Sequence, residues 1–512
     1  MNGVEILLII GIGIAVSAVA HRRGIQPGMI IVVLAAAASF LPGVPRLELN
    51  SEWILAIVIP PLLYSATRGV SFSSFGANLR PIVSLGVLLV LVTAGVLGLV
   101  AAWLLPSIGL ATAFLIGSVL APPDTITSVS HGTSIGLPRR VTAILTGESL
   151  VNDATALTLF SIAVAAAAEG RHASWGHGVL EFLYNAFGGV AIGLVFGLVT
   201  LWVRKKLHNS TLETSLVLLL PFTAFLTAEQ AGASGILAVV AASFSVSVNL
   251  TFDPKHQYPG GYRTRLQEDS IWPVIDFLLE TFVFAYIGLQ LRFVLDELAE
   301  SPDPGLVRTL VAAGVLLLVA IVVRLVGVFA LFGRWALADR LDAWMIEHSA
   351  RFRERARIRA ERRRGRGGQP LGAPSGRETF LVGWTGMRGI LTLAAAASVP
   401  ELTSRGEPFP GRNAIQAIAL IVTLGTLLIQ GTTLRSITAA LHFDTSAEKA
   451  EAAAMLARGR EIIAGTPGDT DADFDAQRAA LGHALSERRI DEETARGLIE
   501  DIDLRQAARH TI

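Results

Sequence analysis

Gly147-Glu148-Ser149-Leu150-Val151-Asn152-Asp153-Ala154-Thr155-Ala156-Leu157 lies in the first half of an apolar run from Thr142 to Ala168 that is long enough to cross a bilayer. Two carboxylates, an amide and a hydroxyl sit there together. An ionisable group at membrane depth costs roughly 3 kcal/mol or more on insertion scales, so it is rarely kept without a use. At helical spacing Ser149 and Asp153 are i,i+4 neighbours on one face, and Glu148 and Asn152 form the adjacent stripe. The segment therefore turns a polar wedge toward whatever it packs against. A carboxylate held there can bind a cation or a proton but hardly both at once. That is the chemistry of cation/proton exchange, with Asp153 as the group for which the two ions compete.

The composition around this stretch is that of a membrane chain. Of 512 residues, 52% are hydrophobic and 16% charged, and the mean hydropathy is +0.55; average soluble chains carry roughly 25% charge. Forty-two basic and 42 acidic residues balance, so nothing in the charge points to a nucleic acid and none is expected as a partner. The absence of cysteine excludes disulfides, thiolate metal sites and cysteine catalysis. No basic region precedes the first apolar run, Val4 to Ala20, and no small-residue cleavage site follows it, so it is expected to be a retained span. Neither a Walker sequence nor a dinucleotide fingerprint occurs. No cofactor is expected, and transport would be driven by ions rather than by a nucleotide.

About thirteen apolar runs of spanning length can be counted, near 4–20, 28–42, 52–66, 82–105, 108–129, 141–168, 178–203, 212–228, 234–250, 271–293, 306–333, 379–400 and 413–436. One set of alternate connections carries Arg22/Arg23, Arg68, Arg80, Arg139/Arg140, Arg204-Lys205-Lys206, Lys255, Arg263, Arg265 and a long loop, residues 334–377, with roughly a dozen arginines. The positive-inside rule makes that side cytoplasmic, with the N-terminus outside and the C-terminus inside a multi-pass cell (inner) membrane protein. The basic loop reads as a solvated helical excursion, with sensing of anionic lipid head groups as the alternative. The expected division is a transmembrane domain over residues 1–442 and a helical cytoplasmic tail over 443–512.

Two spans are interrupted in matching places. The fifth carries Ala121-Pro122-Pro123-Asp124-Thr125-Ile126-Thr127, where prolines remove backbone donors and disfavour helix before them. The twelfth carries Gly383-Trp384-Thr385-Gly386-Met387-Arg388-Gly389, whose glycines loosen a helix and admit other backbones. If spans one to six and eight to thirteen are inverted halves, these two breaks correspond, and such a pair points to a transporter's ion site. The expected fold is thus an all-α polytopic membrane protein with two inverted repeats and discontinuous fifth and twelfth helices.

These motifs occur in a known order: Pro60-Pro61-Leu62-Leu63-Tyr64, Asn78-Leu79-Arg80-Pro81, Pro123-Asp124, Leu137-Pro138-Arg139-Arg140 leading into Gly147 to Asp153, Ser234-Gly235-Ile236-Leu237-Ala238, Glu280-Thr281-Phe282-Val283-Phe284 with Gly288, Gly383-Trp384 with Arg388-Gly389, and Gln430-Gly431-Thr432-Thr433-Leu434. Together they make the chain resemble the monovalent cation:proton antiporter-1 family, the NhaP/NHE-type sodium/proton antiporters, over about residues 5 to 440. The resemblance implies that Asp153 binds the ion or the proton and that Ser149 and the broken fifth helix complete the coordination. It also implies that Glu148 and Arg388 form a structural ion pair, and that a homodimer moves its ion-binding bundles against fixed dimerisation domains. Two positions depart from the family pattern. Ser65 stands where many archaeal members carry a Glu, and the fifth helix reads Pro-Pro-Asp-Thr where many read Thr-Asp-Pro.

The candidate site is accordingly Asp153, Asn152, Glu148 and Arg388 for the exchange machinery, and Asp153, Ser149, Asp124 and Thr125 as ligands for sodium or another monovalent cation. Each has a plainer reading beside it. Asn152 could satisfy backbone freed by the breaks, Ser149 could bond back to a helix carbonyl, and Asp124 could cap a half-helix. Thr127 could add an oxygen. Glu280 and Arg324 are expected to pair with each other or to line a funnel, and His131 is the best candidate among the histidines for a pH sensor. The expected activity is exchange of sodium, with lithium or potassium as further candidates, for protons. Electroneutral exchange follows if Glu148 stays paired and Asp124 does not titrate. A potassium/proton antiporter of the same fold and a gated cation channel are the alternatives. An enzymatic role is not expected; an intramembrane hydrolase using Glu148 and Asp153 is disfavoured because carboxylates five residues apart on one helix do not face each other across a substrate.

Overall fold

In the computed structural model, residues 3–22, 27–42, 44, 56–68, 76, 78–124, 137–169, 175–252, 261–300, 304–349 and 374–511 are described. They are helical almost throughout, with one isolated bridge between Leu402 and Pro408 in place of any sheet. In chain order the helices are α1 (Gly3–Arg22), α2 (Pro27–Ala38), α3 (Ile59–Arg68), α4 (Leu79–Leu104), α5 (Leu110–Leu120), α6 (Arg139–Glu169), α7 (Trp175–Leu207), α8 (Ser210–Gln230) and α9 (Gly235–Phe252). They continue with α10 (Gly261–Glu300), α11 (Leu306–His348), α12 (Gly376–Trp384), α13 (Ile390–Ala397), α14 (Arg412–Leu441), α15 (Ser446–Ala464), α16 (Asp471–Ser486) and α17 (Glu492–Thr511).

Among the described residues seven helices, α4, α6, α7, α8, α10, α11 and α14, contain a stretch long and apolar enough to cross a membrane. Shorter apolar helices occur at Leu7–Ala20, Leu110–Leu120 and Gly235–Ser247. Among the described residues the count of about thirteen spans expected from sequence is not reached by length; some expected spans run past the described residues and others are cut short. Pro122 and Pro123 follow the end of α5, and the nonhelical stretch Thr385 to Gly389 divides α12 from α13. The twelfth run is therefore discontinuous in the structure, and the helix of the fifth ends at Leu120, residues 125–129 of that run lying outside the described residues.

Apolar faces set the packing. On α11, Leu318, Val322, Val326 and Phe329 are exposed at helical spacing, while Leu316, Ala320 and Val328 are buried. An exposed apolar stripe of that length needs lipid or protein against it. Small residues bring α7 onto α9. A Cβ at Gly189 would meet the Ser234 carbonyl, one at Gly193 the Ala238 carbonyl, and one at Gly197 would lie 2.7 Å from Ser245 Cβ, the close approach that small residues four apart allow.

Arg204, counted from sequence among loop charges, is buried and lies 3.0 Å from Glu268, with Glu213 at 4.0 Å. The first part of the expected basic loop, through His348, is the continuation of α11; its run from Arg351 to Arg359 lies outside the described residues. Helices α15 to α17 gather their own small apolar cluster, including Phe474, Leu481, Leu498 and Ile502. They dock on α10 through Asp503, which accepts from Arg265 Nε at 2.7 Å and Nη2 at 2.8 Å.

Candidate ion site

The two breaks cross each other. Asp124 N donates to the Met387 carbonyl at 2.6 Å, backbone to backbone. Arg388 then turns toward the end of α5, where its Nε donates to the Leu120 carbonyl at 2.9 Å and its Nη1 to the Gly386 carbonyl. A guanidinium at a half-helix C-terminus answers both the unpaired carbonyls and the negative end of the dipole. Arg388 N is itself held by Thr426 Oγ1 at 3.0 Å. The Asp124 carboxyl packs on Gly389, the residue that precedes α13, so closely that a Cβ there would overlap it. Each break thus supplies a charge of the right sign to the other's half-helix, and Gly389 is a glycine because the carboxyl occupies its side-chain space.

Helix α6 passes beside this crossing. Asn152 Nδ2 donates to the Pro123 carbonyl at 2.9 Å, so the amide satisfies backbone that the prolines leave free, while its Oδ1 has no hydrogen-bond partner among the described residues. Ser149 Oγ is also buried and without such a partner. That sets it apart from Thr155 and Thr158 on the same helix, which bond back to Val151 and Ala154 carbonyls at 2.8 and 2.7 Å.

Glu148 is fully buried, and its partner is Arg324 of α11 in a two-pronged contact: Nη1 meets Oε1 and Nη2 meets Oε2 at 2.9 Å. Arg324 Nη2 also donates to the Val382 carbonyl at 3.2 Å, tying α6, α11 and α12 together. The Glu148–Arg388 pair implied by the resemblance is therefore replaced by Glu148–Arg324. Arg388 is spent on the carbonyls that the broken fifth helix exposes. Glu280 and Arg324 do not pair with each other either.

Asp153 is only 8% exposed and has no hydrogen-bond or ion-pair partner among the described residues. It lines a cavity of about 270 Å³ walled by α3, α6, α10, α13 and the two breaks. The polar lining is Ser65, Asp124, Asp153, Asp276, Glu280 and Thr392. Every one of these side chains offers oxygen and none offers nitrogen, which is the donor set a hard cation takes. Asp124 and Asp153, both candidate ligands in sequence, thus line one cavity, and Glu280, expected to pair with Arg324 or to line a funnel, lines it with them. Asp276 was missed, although a carboxylate within a span and one turn before Glu280 is itself a signal. Thr125, Thr127 and His131 lie outside the described residues.

The profile of a family described as sodium/hydrogen exchanger, transmembrane, matches residues 4–440. The chain belongs to that family. Among relatives of this exchanger-family chain, an uncharacterized Na+/H+ exchanger of Mycobacterium tuberculosis is 32% identical over 81% of this chain and 70% of its own length. A protein of Bacillus subtilis named as a sodium, potassium, lithium and rubidium/H+ antiporter is 28% identical over 81% of this chain and 58% of its own length. In structure, the sodium proton antiporter MjNhaP1 from Methanocaldococcus jannaschii superposes with a TM-score of 0.61, at 16% identity, over 85% of this chain and 97% of that one. The exchanger fold is thereby shared, and the broken helices that cross at Asp124 and Met387 sit within the matched region.

Proposed function

We propose that this chain exchanges a monovalent cation for a proton by alternating access, with the two competing for Asp153. The observation that carries the reading is a nearly buried carboxylate without an internal counter-charge, facing a cavity that only oxygen-bearing polar groups line. Burying a charge without a partner is costly, and either a bound proton or a bound cation removes that cost. Binding one excludes the other. Family membership supports the same reaction class.

Sodium is the first substrate to test. Potassium and lithium stand beside it, because a relative of Bacillus subtilis carries all three in its name. One carboxylate exchanging one proton for one cation moves no net charge, so the exchange is electroneutral. Glu148 does not contribute, since Arg324 neutralises it. Ser149, one turn before Asp153, has a buried hydroxyl with no partner among the described residues, which supports a ligand role, although it does not line the cavity itself. The protein works as a homodimer in the cell membrane with its N-terminus outside and its C-terminus in the cytoplasm.

The test is proton flux in proteoliposomes on adding sodium, lithium or potassium, for the wild-type protein and for Asp153→Asn, with and without an imposed membrane potential. Flux triggered by a cation, indifferent to potential and lost in a folded Asp153→Asn, is expected. Flux that survives the substitution would remove Asp153 from the mechanism and favour a conducting pore.

A further inference from the structure

We propose that Asp276, oriented by the Ser65 hydroxyl, is a second cation-binding carboxylate of the cavity, supplied from α10; the proposal rests on the exchange reading above. Ser65 Oγ of α3 donates to Asp276 Oδ2, which fixes the carboxylate plane. The other oxygen, Oδ1, is buried and has no hydrogen-bond partner among the described residues. A buried carboxylate oxygen left in that condition is costly and calls for a reason. Its neutral partner Ser65 supplies one hydrogen bond but no charge.

Arg68, whose charge acts on Asp276 through space, makes no ion pair with it. Arg68, three positions after Ser65 on α3, pairs with Asp269 and lies 3.9 Å from Glu268, both nearer the start of α10. Asp269, Asp276 and Glu280 follow one another at i, i+7 and i+11, on one face of the helix. The arginine therefore neutralises the first carboxylate of the stripe, and the next two face the cavity.

An independent observation points the same way. Asp153 reaches that cavity from α6, nine-tenths buried and without a hydrogen-bond or ion-pair partner among the described residues. Two carboxylates on different helices, each lacking an ion-pair partner, open onto one space of about 270 Å³. At about 30 Å³ per water molecule, that is room for a cation with part of its hydration shell. A cation entering that space meets Asp276 as well as Asp153 on its walls. Asp276 is then a ligand that sets cation affinity, Ser65 a positioning residue that acts through it, and Asp153 the group that also takes the proton.

The test is the sodium dependence of antiport in proteoliposomes for the wild-type protein, Asp276→Asn, Asp276→Glu and Ser65→Ala, with Asp153→Asn alongside. Loss of one charge-assisted contact predicts a rise of roughly tenfold in apparent KM for sodium in Asp276→Asn, with the rate at saturating sodium falling by less than about twofold. Ser65→Ala should raise the same KM by about threefold, and Asp276→Glu should change the ratio of lithium to potassium affinity while keeping transport. Should Asp276→Asn not assemble, the other two variants carry the same comparison. An unchanged sodium KM in folded variants, with Asp153→Asn still inactive, overturns the role of Asp276 and leaves the exchange reading standing. Wild-type protein without cation-coupled flux overturns both.

Discussion

Helix α6 carries two buried carboxylates five residues apart, and their surroundings could hardly differ more. Glu148 is closed off at 0% exposure and met by both terminal nitrogens of Arg324. Asp153, one turn and a half further along, has no ion-pair partner among the described residues and opens onto the cavity. A charge that the protein itself neutralises belongs to the frame. A charge left for something else to neutralise is where an ion can bind and leave, and pairing rather than burial separates the two.

The largest effect that would break this contrast is on the pair. Glu148→Ala or Arg324→Ala strands one charge in the interior and should cost about 3–5 kcal/mol, read as loss of monodisperse protein or a large fall in Tm. Replacing both by apolar side chains of similar volume should restore much of the stability, since a buried pair gives little net gain over good packing. If either single variant is as stable as wild type, Glu148 is not a framework residue. Asp153→Asn should behave in the opposite way, keeping the wild-type Tm while losing transport.

A smaller effect is expected where the breaks cross. Gly389→Ala places a methyl group on the Asp124 carboxyl and should destabilise by about 1–3 kcal/mol, the usual cost of overpacking; a neutral outcome in a melting experiment would mean that the crossing is loose. Asn152→Ala removes the hydrogen bond to the Pro123 carbonyl, for an expected loss of about 1 kcal/mol. A larger loss of transport than of stability in that variant would give Asn152 a part in ion contact as well.

The smallest effect lies in α15–α17, beyond the stretch that the family profile covers. Hydrogen bonds from Thr470 hold the Asp473 carboxyl below its ordinary value of 3.8, and Gln506 and His510 do the same for Asp471. A carboxylate depressed in the folded state stabilises it fully above the unfolded value, and the contribution fades as pH falls through the folded one. The α15–α17 unit should therefore loosen only below about pH 4, with Asp473→Asn removing part of that acid dependence in hydrogen exchange.

The polar wedge of α6, both helix breaks and the meeting of Asp124 with Asp153 were legible in sequence because each breaks a local rule: charge within an apolar run, or proline and glycine within a helix. The choice between Arg324 and Arg388 as partner of Glu148 was not. Both arginines lie within apolar runs, and only the crossing of the breaks reveals that carbonyls at Leu120 and Gly386 occupy Arg388. Asp276 did stand out locally, as a carboxylate within a span; only its tie to Ser65, 211 positions away, was out of reach of the sequence. Local patterns name the odd residues, and tertiary contacts assign them to one another.

The central claim, competition of cation and proton at Asp153, is tested most directly by radioactive sodium binding to purified protein across pH, for wild type and Asp153→Asn. One-for-one competition predicts that the apparent Kd rises about tenfold for each pH unit lost on the acid side, and that the folded substituted protein binds no sodium at the same site. Affinity that does not change with pH, or binding that survives Asp153→Asn, would contradict the account.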